Sequence, residues 1–300
     1  MAIRILYHQV KQGIDCPDGI AAAWVARKIY PNAEIFGVWY GMDDLDIQPK
    51  SGDRIIILDF SFSLDTIKRW ESIGASILLI DHHKSAQELL GDISNLSREI
   101  KGEMIFDMAE CGATLTWKYF FPNEAVPLFL EYVRDRDLWV KNLDLSDGVH
   151  EAVSKLGRTF DLFDALENFE EYDMELLGEL GEVLLIPKRK AVESIARRAE
   201  LRDLELQRPH IHNCWNIPTV KLANNGTEDR LVSDVCEYMY SVLYPDAAFV
   251  ACISSDGKYS LRSDKRKPNG GADVSSISRL FGGGGHHNAA GFSAQSPILC

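Results

Sequence analysis

Short, continuous apolar runs alternate with helical patterns through the first half of the chain, and this alternation restricts the folds that the chain can adopt. Four apolar runs predict strands at residues 3–8, 33–40, 54–59 and 76–81. Between them, residues 18–30 and 63–74 carry helical patterns, and Ser63 and Gly74 are suited to begin and end the second helix. Strands that are apolar along their length and alternate with helices are typical of a parallel sheet covered on both faces.

The second half of the chain carries a different pattern. From residue 111 to residue 208 it is mostly helical, and the charged segment 187–207 predicts a long connecting helix. After it, residues 247–263 predict a β-hairpin with Asp256 and Gly257 in the turn.

A chain of 300 residues, 46% of them hydrophobic, is long enough to build two domains with substantial cores. We therefore predict an α/β protein in which an N-terminal parallel-sheet domain and a smaller C-terminal mixed α/β domain are joined by a helical connector. The predicted bounds are 1–185 for the first domain, 186–208 for the connector and 209–300 for the second domain.

Charge and composition exclude several classes of protein. The net charge is −13 and the acidic residues are spread along the chain, which argues against long duplex nucleic acid as a partner. No window approaches the roughly 20 apolar residues of a membrane helix, so we expect a soluble, cytoplasmic protein that does not bind membranes. The six cysteines form no C-x-x-C pair, which argues against a zinc ribbon and fits a reducing compartment.

Polar side chains follow three of the predicted strands at the point where each strand ends. These residues are His8, Asp59 and the run Asp81, His82 and His83. Because the carboxyl ends of parallel strands lie along one edge of a sheet, where ligands bind, we expect these side chains to converge.

A cluster of carboxylates would repel itself unless a cation lay inside it. The loop after His8 adds Asp15 and Asp18 to the predicted cluster. Carboxylates with a few imidazoles and no thiolate suit Mn²⁺ or Mg²⁺ better than zinc. The ligands are numerous enough for two ions, and two ions can clamp a phosphate and activate a water.

Several motifs of this sequence, in their order along the chain, resemble those of the DHH phosphoesterase superfamily. They are "DCPDG", Asp59, "DHH" directly after a strand, and the later "VRDRDLW". The terminal "GGGGHHNAAGF" is similar to the glycine-rich motif of the DHHA1 substrate domain found in that superfamily. The resemblance covers nearly the whole chain.

The resemblance implies a role for each matching residue. Asp59 would bridge two metal ions, His83 would reach a substrate phosphate, and Asp81 would orient the cluster. The fourth motif lies at Asp135 or Asp137, of which Asp135 is favoured. The implied catalytic residues are Asp59, Asp81, His82 and His83. The candidate metal ligands are His8, Asp15, Asp18, Asp59, His82, Asp135 and Asp137.

The first motif departs from the superfamily pattern H-x-D-x-D-G, because His8 lies ten residues before Asp18. Asp15 fills the vacant ligand position, or Cys16 replaces it, or His8 is displaced, and the sequence leaves these alternatives open. Simpler roles also exist elsewhere in the cluster. Asp59 would suit the N-cap of the following helix, and the aspartates of "RDRD" could form surface ion pairs with Arg134 and Arg136.

The glycine-rich segment near the C-terminus predicts an anion site. Four consecutive glycines let the backbone approach an anion closely, and we expect them to serve this role rather than packing. His286 could donate to a phosphate, Asn288 could bond to a base, a sugar or the loop itself, and the guanidinium of Arg262 matches a phosphate. The predicted substrate-binding residues are His83, Lys84, Arg262, Gly283, Gly284, Gly285, His286 and Asn288.

Together these features favour a manganese-dependent phosphodiesterase that hydrolyses short nucleotides, such as nano-RNA or linear dinucleotides, with two Mn²⁺ ions and Mg²⁺ as the alternative metal. A phosphatase for polyphosphate, pyrophosphate or 3′-phosphoadenosine is a second hypothesis. A catalytically weakened nucleotide sensor is a third. The expected partner is a small phosphate-bearing substrate, and the sequence leaves a homodimer open.

Overall fold

The computed structural model describes residues 2–42, 46–90, 101–208, 211–223 and 227–293. The chain divides into two compact units, Met1–Leu185 and Ile186–Cys300.

The first unit combines one sheet with helices. Its strands are β1 (Ile3–Lys11), β2 (Ile14–Asp15), β3 (Glu34–Val38), β4 (Arg54–Leu58), β5 (Ser76–Asp81) and β6 (Glu103–Phe106). Its helices are α1 (Pro17–Ile29), α2 (Leu64–Ser72), α3 (Lys84–Leu90), α4 (Gly112–Phe120), α5 (Leu128–Asp137), α6 (Ser146–Leu156), α7 (Phe160–Leu166) and α8 (Glu171–Ala196), the last of which continues into the second unit. Strands β3, β1, β4, β5 and β6 lie side by side in that order and run parallel, whereas β2 folds back antiparallel to β1. The parallel sheet predicted from the alternating pattern is therefore present.

Both faces of this sheet are covered, which explains why its strands are apolar along their length. Alternate residues of β4 point to opposite faces, so Ile56 packs in one core with Trp24 of α1, and Ile57 packs in the other core with Trp70 of α2. Helix α2 begins as predicted, because the Ser63 hydroxyl accepts a hydrogen bond from the backbone N–H of Thr66. Gly74, just past its end, has the expected positive φ of 94°.

The direction in which the chain adds strands reverses at one position along the edge formed by the carboxyl ends of the parallel strands. The chain adds β3 on one side of β1 and then returns to add β4 on the other side, so the winding reverses between β1 and β4. Ligands of open parallel sheets bind beyond the carboxyl ends of the strands at such a reversal. His8 lies near this end of β1 and Asp59 directly follows β4, level with the end of β5.

The second unit contains a mixed sheet. Its strands are β7 (Glu200–Arg208), β8 (Ile211–Lys221), β9 (Val250–Ile253), β10 (Lys258–Arg262), β11 (Gly284–His286) and β12 (Ala289–Ser293), and its α-helices beyond α8 are α9 (Val232–Tyr238) and α10 (Val274–Leu280). The order is β11, β12, β10, β9, β8, β7, and among these described strands β8 and β9 form the parallel pair. Strands β9 and β10 form the predicted hairpin, with Gly257 in the turn at a φ of 81°.

The predicted helix over residues 187–207 is wrong in its second half. Helix α8 ends at Ala196, and residues 200–208 form β7, which pairs antiparallel with β8 along its whole length. Leu204 is buried in this strand, whereas Leu201 is exposed. The charged residues of this segment favour a helix locally, but pairing with β8 and burial of Leu204 decide its conformation. Residues 186–208 are therefore not a helical connector throughout.

Candidate metal centre

Asp59 lies at the centre of the site and faces histidines on two sides. It adopts a left-handed φ of 55°, a conformation that Asp tolerates better than most residues. Its carboxylate is almost fully buried, with Oδ2 3.2 Å from His8 Nδ1 and Oδ1 3.2 Å from His82 Nε2. The N-cap of helix α2 is Ser63, so Asp59 does not serve as that cap.

Asp18 joins the site from the first turn of α1. Its carboxylate is fully buried and accepts hydrogen bonds from the backbone N–H groups of Gly112, at 2.6 Å, and Ala113, at 2.8 Å, at the start of α4. The same carboxylate lies 3.6 Å from His82 Nε2. The positive end of the α4 dipole therefore holds Asp18 against the cluster.

Gly112 is a site residue that the sequence interpretation missed. A Cβ atom at this position would lie 2.7 Å from Cβ of Asp59 and 3.0 Å from Oδ2 of Asp18. A larger residue would displace one of the two carboxylates. The signal in the sequence is a glycine at the start of an apolar helical pattern, which by itself does not identify a site.

Asp81 fixes the orientation of the two histidines that follow it. Its Oδ1 accepts hydrogen bonds from the backbone N–H of His82, at 2.7 Å, from that of His83, at 3.1 Å, and from the His83 ring at Nδ1, at 2.7 Å. Its Oδ2 accepts from the Ser61 hydroxyl at 2.6 Å. This geometry agrees with the orienting role that the resemblance implies, and it makes Nδ1 the donor nitrogen of His83.

The preference for Asp135 over Asp137 requires correction. Asp137 Oδ2 lies 3.4 Å from His82 Nε2, which places this carboxylate at the cluster. Asp135 is buried, and its Oδ1 accepts a hydrogen bond from the backbone N–H of Asn142 at 2.8 Å, so this side chain holds the turn after α5. Residues two positions apart on a helix point to nearly opposite sides. The neighbouring arginines pair with other carboxylates, Arg134 with Glu110 and Glu131, and Arg136 with Asp147.

The residues of the first motif take different positions in the structure. Asp15, at the end of β2, accepts hydrogen bonds at Oδ1 from Tyr7 Oη and Gln9 Nε2 of β1, both at 2.7 Å. Burial and the charges of Asp59, Asp137 and Asp18 raise the pKa of Cys16 well above its ordinary value. His8 is the residue of this segment that reaches Asp59, and Asp15 is not brought to the cluster.

Within the described residues, two groups of side chains bring potential ligand atoms within 4.8 Å of one another. The first group is His8, Asp59 and His83, and the second is Asp18, Asp59 and His82. Asp59 belongs to both groups. Because Nδ1 of His83 already donates a hydrogen bond to Asp81, this nitrogen is less suited to binding an ion than the other ligand atoms of the two groups. The remaining carboxylate oxygens and imidazole nitrogens suit Mn²⁺ or Mg²⁺.

The electrostatics of the cluster show an excess of negative charge. Burial, together with the charges of Asp59 and Asp137, raises the pKa of Asp18 well above its ordinary value. Burial alone would lower the pKa of His82, but its hydrogen bond with Asp59 and the charges of Asp137 and Asp59 raise it well above the ordinary value. Protons thus offset the charge of the metal-free cluster, and a divalent cation would replace them. The residues present therefore fit a divalent metal.

The pKa of His83 is raised to about 9. Burial would lower this pKa, but the charge of Asp81 and the hydrogen bond to it prevail. His83 is therefore positively charged at neutral pH in the metal-free protein, and its side chain is 17% exposed.

The glycine-rich segment of the second unit differs from the prediction. A Cβ atom at Gly283 would lie 2.1 Å from the carbonyl oxygen of Gly291, and one at Gly285 would lie 2.5 Å from that of Ala289. The expectation that the glycines do not serve packing is therefore wrong for these two positions, where β12 approaches closely. A Cβ atom at Gly282 or Gly284 would meet nothing within 4 Å.

The other predicted residues of the second unit take different positions. Arg262 donates to the Ser233 hydroxyl at 3.2 Å. In the sheet, Ala289 of β12 is paired with Arg262 of β10 on one side and with His286 of β11 on the other. Residues in register point to the same face of a sheet, so the Arg262 and His286 side chains share a face. Asn288 donates to Ser263 Oγ at 2.8 Å and to the carbonyl of Gly270 at 2.7 Å, which shows the loop itself as its partner.

Comparisons with known proteins give a limited result. No family model matches the chain. It is 29% identical over 244 residues to the uncharacterised protein R106 of Acanthamoeba polyphaga mimivirus, which covers 80% of this chain and 53% of the relative. The chain thus spans about half the length of the curated relative that it matches.

Two solved structures are similar to the chain along most of its length. One is an uncharacterised protein from Helicobacter pylori, with a TM-score of 0.43, and the other is a pGpG-specific phosphodiesterase, PggH, from Vibrio cholerae, with a TM-score of 0.44. Each is 17% identical, and the alignments cover 99% of this chain and 94% of the other. Within the described part of the chain, no helix combines the length and the apolarity needed to cross a membrane.

Proposed function

We propose that the first unit is a metal-dependent phosphodiesterase and that its substrates are short nucleotides, such as linear dinucleotides or nano-RNA. The observation that carries the proposal is the position of Asp59, a buried carboxylate shared by two groups of ligand atoms at the reversal point of a parallel sheet. Each of its two oxygens lies opposite an imidazole nitrogen, so the carboxylate is suited to bridging two ions.

Five side chains would hold the metal. They are His8, Asp18, Asp59, His82 and Asp137. When bound, two Mn²⁺ or Mg²⁺ ions would polarise a phosphate and lower the pKa of a bound water. The protein supplies the geometry, because the N-terminus of α4 holds Asp18 and the left-handed backbone at Asp59 aims its carboxylate between His8 and His82.

His83 would act on the substrate as a donor. Asp81 holds its ring through Nδ1 and favours its charged form. A charged imidazole beside the cluster can donate a hydrogen bond to a phosphate oxygen, and such charge-assisted bonds are about twice as strong as neutral ones.

We also assign an anion site to the second unit. Arg262 and His286 lie on one face of its sheet, and Gly284 leaves open space beside its backbone. We assign to this face the binding of a phosphate that is not cleaved. Asn288 supports the loop after β10 and is not assigned to the substrate.

A turnover panel tests the proposed function. The metal-stripped protein is given Mn²⁺, Mg²⁺ or neither, with the linear dinucleotides pApA and pGpG, longer RNA, cyclic dinucleotides, 3′-phosphoadenosine 5′-phosphate, pyrophosphate and polyphosphate. We expect hydrolysis of the linear dinucleotides, dependent on the added metal. Hydrolysis of polyphosphate or pyrophosphate alone would support the phosphatase hypothesis, and absence of turnover on every substrate would refute the proposal.

A pair of variants connects turnover to the site. Asp59→Asn keeps a side chain that tolerates the left-handed backbone but removes the shared carboxylate, so we expect it to abolish hydrolysis. Asp135→Asn is the matched control, because an amide oxygen can still accept the hydrogen bond from Asn142. The control should hydrolyse the dinucleotides at the parent rate.

A further inference from the structure

Tyr40 is an exposed aromatic residue at the edge of the metal centre. It is 55% exposed, and its ring centroid lies 5.5 Å from that of His8 and 6.4 Å from that of His83. These two histidines lie on either side of the Asp59 carboxylate, at 3.2 Å and 3.7 Å from its oxygens. A ligand that brings a phosphate to Asp59 therefore comes within reach of the Tyr40 ring.

The ring of Tyr40 is held in place from the core of the unit. Its centroid lies 4.5 Å from that of Phe60, which packs at 4.9 Å on Phe62, which packs at 4.9 Å on Trp70 of α2. This row of four rings runs from the buried sheet to the edge of the site. A ring supported in this way loses little conformational freedom when a ligand covers it.

The phenol of Tyr40 faces negative charge. Burial and the charges of Asp81 and Asp59 raise the pKa of this phenol, so it stays neutral at physiological pH, and the residue as a whole is 55% exposed.

We infer that Tyr40 is a stacking surface for the base of a nucleotide whose phosphate lies at the metal centre. This inference rests on the proposed function for the position of the phosphate. Stacking of a base on an aromatic ring tolerates every base, because each base has a π face. Polyphosphate and pyrophosphate have no apolar face to cover the ring, so Tyr40 favours nucleotides of any sequence over inorganic phosphates.

Two substitutions and a control test this inference. Tyr40→Leu removes the ring, Tyr40→Phe keeps it, and Tyr172→Leu replaces another exposed tyrosine, 69% exposed, on helix α8. Binding is measured with a 5′-phosphorylated linear dinucleotide that carries 2-aminopurine, whose fluorescence is quenched on stacking. Hydrolysis with Mn²⁺ is measured on the same dinucleotide and on a base-free ribose phosphodiester.

Loss of the ring should weaken dinucleotide binding and lower kcat/KM by roughly 5- to 150-fold, which corresponds to the stacking energy of one base. Quenching should be lost with Tyr40→Leu and retained with Tyr40→Phe and Tyr172→Leu. The base-free diester should lose much less than the dinucleotide.

The outcomes separate the inference from the proposed function. If the parent binds the dinucleotide with Tyr40-dependent quenching but hydrolyses nothing, the stacking surface stands and the enzymatic function fails. If the parent hydrolyses the dinucleotide and Tyr40→Leu does so equally well, the function stands and the stacking surface is refuted. Equal losses on the dinucleotide and the base-free diester, or an absence of quenching in the parent, would also refute the stacking surface.

Discussion

Asp135 and Asp137 allow a sharp test of the metal centre, because they lie two positions apart on α5 and have different partners. We predict that Asp137→Ala loses Mn²⁺ binding and hydrolysis and keeps its stability, whereas Asp135→Ala loses stability and keeps its metal. The prediction depends on two contacts: Asp137 Oδ2 lies 3.4 Å from His82 Nε2, and Asp135 Oδ1 accepts from the Asn142 N–H at 2.8 Å.

The size of each effect follows from these contacts. A hydrogen bond to a charged group contributes about 1.5–3 kcal/mol to stability, and Asp135→Ala removes the acceptor of the Asn142 N–H. For a unit of this size, a loss of 1 kcal/mol lowers Tm by about 2–4 °C, so we expect a decrease of roughly 3–12 °C. The Asp137 side chain is 27% exposed, and its removal relieves repulsion with Asp59, so the Tm should change by less than about 3 °C.

Loss of a metal-binding carboxylate should exceed the roughly 10- to 100-fold loss of affinity that follows removal of a ligand's supporting partner. Calorimetric titration with Mn²⁺ measures the affinity, thermal unfolding of the metal-free proteins measures stability, and dinucleotide hydrolysis measures activity. If Asp135→Ala lost the metal while Asp137→Ala retained it, the assignment of Asp137 to the metal centre would be wrong.

Three further predictions concern separate parts of the molecule. Asp18→Asn should weaken Mn²⁺ binding in calorimetry more than Cys16→Ser does, because Asp18 lies 3.6 Å from His82 and Mn²⁺ prefers carboxylate oxygen to a thiol; a larger loss for Cys16→Ser would indicate a sulfur ligand. Asp53→Asn should lower the Tm at pH 7, and the difference should shrink as pH falls below about 4, because hydrogen bonds from the backbone N–H groups of Ala2 and Lys50 hold the pKa of Asp53 below its ordinary value. The carboxylate stabilises the fold when ionised, so a Tm difference that stays constant down to pH 2 would contradict this reasoning. Gly283→Ala should destabilise the second unit in thermal unfolding, since its Cβ would lie 2.1 Å from the Gly291 carbonyl, and Gly284→Ala should not; the reverse order would contradict the packing role of Gly283.

The ligand edge of the first unit could be predicted from the sequence because two simple signals coincide there. Apolar runs of strand length define the parallel sheet, and His8, Asp59 and Asp81 mark where three of these runs end. Strand ends of one parallel sheet share an edge, so the convergence of these residues follows from the fold class.

The errors arose where distant contacts decide the outcome. Which aspartate of "RDRD" faces the site depends on how α5 packs, and the sequence does not record this. Asp15 was expected at the cluster, but the turn into β2 brings it to Tyr7 and Gln9 instead. Pairing with β8 converts a segment with helical composition into β7, and the approach of β12 explains the glycines at positions 283 and 285.

Metal-dependent hydrolysis of a linear dinucleotide by the parent and by Asp59→Asn tests the central claim most directly. The protein is stripped with a chelator, its Mn²⁺ content is measured before and after metal is restored, and turnover of pApA is followed in each state. We predict two Mn²⁺ ions per chain, turnover in the parent only with metal, and a folded Asp59→Asn variant without turnover. Equal turnover by the stripped parent, or retained turnover by Asp59→Asn at saturating Mn²⁺, would contradict a metal centre built around Asp59.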